Sequence, residues 1–203
     1  MSAFTDKFTI LSPHNFQFRD REVTQDGSKK TVYYSQPVLL PMERFEKERH
    51  AYASLLAYGA CNAGAVPMCY GWLTLSATDI KSIHELPDTD ESCLGLDQDD
   101  GPPKALLLQY FSDAQQLSAE NITPQIADNA MRMLYHVHAS YVMHNDVHRR
   151  NILVLPDNRV VWIDFDSCFR HDDPDEERRF RRQDLFEEFS WAWTHFYDEL
   201  VWS

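Results

Sequence analysis

The sequence predicts an α+β fold. Short runs rich in strand formers fill the first 40 residues and return at 66–75 and 105–111. Helical periodicity takes over at 42–59 and again from Thr123-Pro124. Two apolar runs, 152–155 and 160–163, bracket a polar turn and read as a hairpin. With 203 residues the chain can build one real core but not two full-sized domains, so 1–203 is read as a single domain.

Taken in order, Phe8 to Leu11 is a first strand, and Phe16 to Val23 a second. Asp26-Gly27 supplies a hairpin turn before Val32-Tyr33-Tyr34. From Met42, apolar Phe45, Tyr52, Leu55 and Leu56 recur at helical spacing, and Gly59 is the expected stop. Val66 to Leu75 returns to strand character. Residues 76–103, acidic and with three prolines, read as a surface loop with no core of its own. Ala105 to Phe111 reads as a buried strand. Thr123-Pro124 opens a helix whose stripe is Ile126, Ala127, Ala130, Met131, Leu134, Val137 and His138. A last helix is expected from Glu176, with Phe186, Phe189, Trp193, Phe196, Tyr197 and Leu200 packed as core. Arg178, Arg179, Arg181 and Arg182 are read as its exposed face, paired with Asp175, Glu176 and Glu177.

The net charge is −13, from 19 basic and 32 acidic residues. A negative field of that size argues against nucleic acid or an anionic membrane as the main partner. No apolar run reaches the ~20 residues of a membrane helix, and the first residues lack a signal-peptide pattern. A cytoplasmic location is expected, with Cys61, Cys69, Cys93 and Cys168 as free thiols, since no pair has C-x-x-C spacing. The six glycines are never closer than five residues, which rules out G-x-G-x-x-G, and no G-x-x-x-x-G-K-[ST] phosphate loop occurs in the chain.

The chemistry concentrates in Met143-His144-Asn145-Asp146-Val147-His148-Arg149-Arg150-Asn151-Ile152, followed by Ile163-Asp164-Phe165-Asp166. Polar residues here interrupt apolar strands, where a satisfied core would carry none. An Asp before a strand, an Asn opening it and an Asp ending its hairpin partner can converge at one end of the hairpin. Such a trio suits phosphoryl transfer: one carboxylate handles a hydroxyl, while an amide oxygen and a second carboxylate hold Mg²⁺ against phosphates.

These residues resemble the protein-kinase-like superfamily. His144, Asp146, Asn151, Asp164 and Phe165 match H-x-D-x-x-x-x-N followed by D-F. His148 and Asp166 place the chain nearest the branch of aminoglycoside and choline phosphotransferases and small kinase-like proteins. The resemblance covers about residues 30–170 and is strongest over 105–168. It implies a two-lobed kinase-like fold, with a reduced N-lobe sheet over about 1–108 and a truncated helical C-lobe over about 109–203. It implies ATP and Mg²⁺ as cofactors, a nucleotide as partner, and a small-molecule or protein hydroxyl as acceptor. Asp146 is then the catalytic base with His148 beside it; Asn151 and Asp164 are the Mg²⁺ ligands, with Asp166 near the metal. Glu48 stands where the family's helix glutamate meets a phosphate-binding lysine, for which Lys29 and Lys30 are the nearest residues. Gln109 and Tyr110 end the strand whose backbone would meet adenine.

The chain departs from the pattern at the lysine and at the glycine-rich cover. No Ala-Pro-Glu follows Asp166, so no peptide platform is expected in the 37 residues after it. Two functions therefore stand: a phosphotransferase, and a pseudokinase that binds nucleotide without turnover. A hydrolase-type metal cluster built from His144, Asp146, His148, His171, Asp172 and Asp173 is a third arrangement, one that leaves the Asn151-to-Asp164 spacing unexplained.

Overall fold

A computed structural model describes residues 42–84, 103–173, 176 and 179–199. The expected strands at 8–11, 16–23 and 32–34, the turn at 26–27, Lys29, Lys30, Cys93 and Leu200 lie outside them. The chain is a mixed α+β protein. It divides into two compact units, the second comprising Glu46–Met68 and everything from Phe111 onward.

The first unit carries β1 (Cys69–Thr74), α2 (Ala77–His84) and β2 (Lys104–Leu108). β1 and β2 pair antiparallel, with an irregularity between Cys69 and Gly71, where Gly71 takes a positive φ of 141° that suits glycine. Leu73, Leu75 and Ala105 form a small buried cluster against which Ile80 of α2 packs. That corrects the reading of 76–103 as loop throughout. Ser76 and Asp79 bond reciprocally, Asp79 Oδ2 taking the Ser76 N–H at 2.7 Å and Ser76 Oγ taking the Asp79 N–H at 3.2 Å. This capping box starts α2. The strand expected at 105–111 is shorter, and only its Ala105 is fully buried.

In the second unit, α1 (Met42–Ala57, assigned to this unit from Glu46) buries Ala51, Tyr52 and Leu55 and ends ahead of Gly59, at φ 87°. Helix α3 (Pro124–Ala139) starts where Thr123 Oγ1 accepts the Ile126 N–H at 3.2 Å. Its stripe from Ile126 to Val137 is buried as the spacing predicts. The hairpin forms as β5 (Ile152–Val154) and β6 (Val160–Trp162), and β3 (Gln115–Gln116) adds to the β5 edge. Short β4 (Val142–Met143) pairs with β7 (Phe169–Arg170). Trp162 is fully buried, donates from Nε1 to the Ala130 carbonyl at 3.0 Å, and meets Phe196 at 6.0 Å between ring centres. Cys61, Cys69 and Cys168 are buried thiols.

The C-terminal helix differs from expectation in two ways. Helix α4 runs Arg182–Thr194, continued by a wider turn at His195–Glu199. Arg181 is extended and its N–H is taken by Asp184 at 2.6 Å, so the helix starts there and not at Glu176. Arg179 pairs with Glu176 at 3.5 Å, and Arg181 and Arg182 stand at the helix entrance, while Asp175, Glu177 and Arg178 lie outside the described residues. The aromatic stripe is not all core: Phe196 is buried, whereas Phe186 is 75% and Trp193 50% exposed. Only the arc holding Glu188 and Ala192 faces inward, because α4 rests on α3 and β4 along that side.

Candidate functional site

Strand pairing brings the two motifs together. Residues 144–151 leave β4 and enter β5; residues 163–168 leave β6 and enter β7. Since β5 pairs with β6 and β4 with β7, each loop has both ends tied to the other. The Ile163 N–H donates to the Asn151 carbonyl at 2.9 Å, extending the ladder into the site.

His144 is buried against Trp162 and Phe165, at 5.1 and 4.7 Å between ring centres. Its Nε2 lies 3.0 Å from the Ile163 carbonyl, which can only accept, so the proton sits on Nε2. Burial pushes its pKa below the ordinary histidine value, against the pull of Glu188 and the Ile163 carbonyl. Nδ1 is buried and has no hydrogen-bond partner among the described residues. His144 thus ties the two loops together. Asn145 and Asp164 adopt left-handed backbone, φ 62° and 68°, a conformation these two residue types tolerate best after glycine.

Asp146 is the hub. Its Oδ2 accepts from Arg150 Nη2 at 2.7 Å and from Asn151 Nδ2 at 2.8 Å; its Oδ1 accepts from Arg150 Nη2 at 3.0 Å. His148 Nε2 stands 3.5 Å from Oδ1, with its ring edge-on to Trp191 at 6.0 Å. Burial alone would raise the Asp146 pKa. The hydrogen bonds from Arg150 and Asn151 outweigh it and hold the carboxyl below the usual range, so it is ionised at neutral pH. Asn151 is buried and spends Nδ2 twice, on the Asp146 carboxylate and on its carbonyl at 2.9 Å. Its Oδ1 is therefore the atom left for a ligand.

Three further acids gather at the second loop. Glu48, on α1, accepts the Phe165 N–H at 3.4 Å and is pushed up to about 8, first by burial, then by the charge of Asp164. Although Asp164 reaches the surface, lost hydration and then the Asp166 charge raise its pKa as well. Asp166 is buried, with Oδ1 taking the Ser167 hydroxyl at 2.8 Å. Among the described residues Glu48 has no ion pair, and its one hydrogen bond is to the backbone at Phe165. For Glu48 and Asp164 burial comes first, and the neighbouring carboxylate charge adds to it.

The second unit thus brings Asp146, His148, Asn151, Asp164 and Asp166 onto two tied loops, with Glu48 of α1 against the second. Gln109 and Tyr110 follow β2 in the first unit, and Lys30 lies outside the described residues. Among the described residues, no group of three or more His, Cys, Asp or Glu is arranged to hold a metal. His144, first in the alternative hydrolase cluster, gives its Nε2 to the Ile163 carbonyl.

One residue of the site has no place in the motif. Glu188 of α4 is nearly buried; it accepts the His144 N–H at 3.1 Å and the Asn145 N–H at 2.5 Å, and lies 2.6 Å from His138 Nε2. It clamps the backbone leading to Asp146. The sequence holds a faint signal for it: an acid four residues before Ala192, on the face that α4 buries. The sequence matches no protein-family model and no curated protein.

Proposed function

We propose that this chain is a kinase-like phosphotransferase that moves the γ-phosphoryl group of ATP to a hydroxyl acceptor, on a two-lobed fold with a reduced N-lobe sheet and a truncated helical C-lobe. The observation that carries the reading is the fixed pair of Asp146 and Asn151, joined at 2.8 Å on a loop tied to Asp164. Asp146, ionised, orients the acceptor hydroxyl and takes its proton as the new O–P bond forms and the bond to the ADP oxygen breaks. His148 borders the base at 3.5 Å.

The donor set fits Mg²⁺: the Asn151 amide oxygen with the carboxylates of Asp164 and Asp166, all hard oxygens whose mutual repulsion a cation relieves. Bound there, the ion would neutralise phosphate charge. Protons and positioning belong to the chain's own residues. Lys30, Glu48, Gln109 and Tyr110 are assigned to the nucleotide.

The alternative, a pseudokinase that binds nucleotide without turnover, is favoured by one observation: among the described residues no lysine meets Glu48. Thermal shift with Mg-ATP, followed by turnover in wild type and Asp146→Asn, separates the readings. Nucleotide at 100 times its Kd stabilises by about 2.7 kcal/mol, and Asp146→Asn lowers turnover about 10²–10⁴-fold. Stabilisation without turnover supports the pseudokinase; neither effect sinks both.

A further inference from the structure

Arg149 and Arg150 are the cations of the Asp146 loop, and phosphoryl transfer as described leaves most of their donors unused. Arg150 is 59% exposed. It spends Nη2 alone on Asp146, and its Nε and Nη1 have no partner among the described residues. Arg149, next in the chain, is exposed and likewise has no side-chain partner among them. One nitrogen shared between the two carboxylate oxygens leaves the rest of the guanidinium facing outward.

Lone pairs decide where the acceptor stands. Asp146 Oδ2 already takes two short hydrogen bonds, from Arg150 and Asn151. Oδ1 takes one, at 3.0 Å, with His148 outside bonding reach at 3.5 Å. The acceptor hydroxyl therefore meets Oδ1. That places the rest of the acceptor beside the Arg150 guanidinium, whose Nε–H and Nη1–H donors and full charge remain open to an oxyanion. Asp164 and Asp166 of the second loop and Glu48 of α1 are acidic, in a chain of net charge −13, so Arg149 and Arg150 are the lysine or arginine cations of the two loops.

Resting on the phosphotransferase reading, we propose that Arg150, with Arg149 beside it in the chain, is the subsite for an oxyanion group carried by the acceptor. The substrate class is then hydroxy compounds bearing a carboxylate or phosphate. The same fork could instead hold the γ-phosphate of the nucleotide, and the test separates the two sources.

The full chain is titrated with inorganic phosphate in three states: without nucleotide, with Mg-ADP, and with the Mg complex of a non-hydrolysable imido analogue of ATP. Wild type is expected to bind phosphate in all three. Arg150→Gln weakens binding about tenfold or more, while Arg150→Lys, which keeps the charge, retains most of it. An unchanged melting temperature for both variants separates this loss from misfolding. Equal phosphate affinity in wild type and Arg150→Gln overturns the proposal. So does phosphate binding that vanishes once the analogue is bound, which assigns Arg150 to the γ-phosphate. If neither nucleotide stabilises the chain while phosphate still depends on Arg150, the phosphotransferase reading itself has failed. The site is then an adventitious anion site only.

Discussion

Glu188 holds the Asn145 N–H at 2.5 Å, 43 residues away in sequence and one residue before the proposed base. The same carboxylate takes the His144 N–H and meets His138, so α4 and α3 both brace the loop that presents Asp146.

Glu188→Gln is expected to destabilise the fold by about 1–3 kcal/mol, because an amide nitrogen would replace either Oε1, which takes the Asn145 N–H, or Oε2, which takes the His144 N–H and meets His138. Urea unfolding measures this. Turnover should fall with no change in Mg-ATP affinity, since the clamp acts on the Asp146 loop and not on the nucleotide residues. An unchanged denaturation midpoint would remove Glu188 from the site.

Asn151→Asp is expected to be worse than Asn151→Ala for Mg²⁺-free stability. It sets a carboxylate within about 3 Å of the Asp146 carboxylate, where two like charges cannot both stay ionised. Asn151→Ala removes the donor yet leaves Arg150 on Oδ2. Chemical denaturation of both variants in chelator ranks them; the reverse order would mean that Asn151 does not fix Asp146.

Glu48 makes stability depend on pH. Its folded pKa of about 8 lies above its ordinary 4.5, so the folded chain binds its proton more tightly than the unfolded chain. Its contribution is complete below pH 4.5 and is lost as pH rises through 8. Unfolding in chelator, wild type against Glu48→Gln, should give curves that coincide in shape below pH 4.5 and diverge up to pH 8, with the variant gaining stability at the alkaline end. Parallel curves across that window would assign the pH dependence to other groups.

The two faces of the last helix should respond differently. Phe196→Ala empties a fully buried site against Trp162 and is expected to cost about 3–5 kcal/mol. Phe186→Ser, at 75% exposure, should stay within about 0.5 kcal/mol of wild type. Equal losses would mean that the outer aromatic face is covered in solution.

Helix α3 and the β5–β6 hairpin were legible because their signals are local. Thr123-Pro124 caps and starts the one, and residues 156–159 turn the other. Helix α2 carried a readable signal too, the Ser76-to-Asp79 capping box, masked by the acidity and prolines that follow. The C-terminal stripe was misread because helical spacing states which residues share a face, not whether anything lies against it.

The sequence by itself determined which residues meet at the candidate site, since Asp146, Asn151 and Asp164 sit on two turns whose flanking strands must pair to hide their apolar faces. Tertiary structure alone decided how those residues are held and charged. Glu188 reaches the loop from another helix, Arg150 folds back over Asp146, and Glu48 is pushed toward neutrality first by burial and then by acids more than a hundred residues away. Hydrogen bonding and desolvation depend on which groups meet in space, and no spacing along one chain encodes that directly.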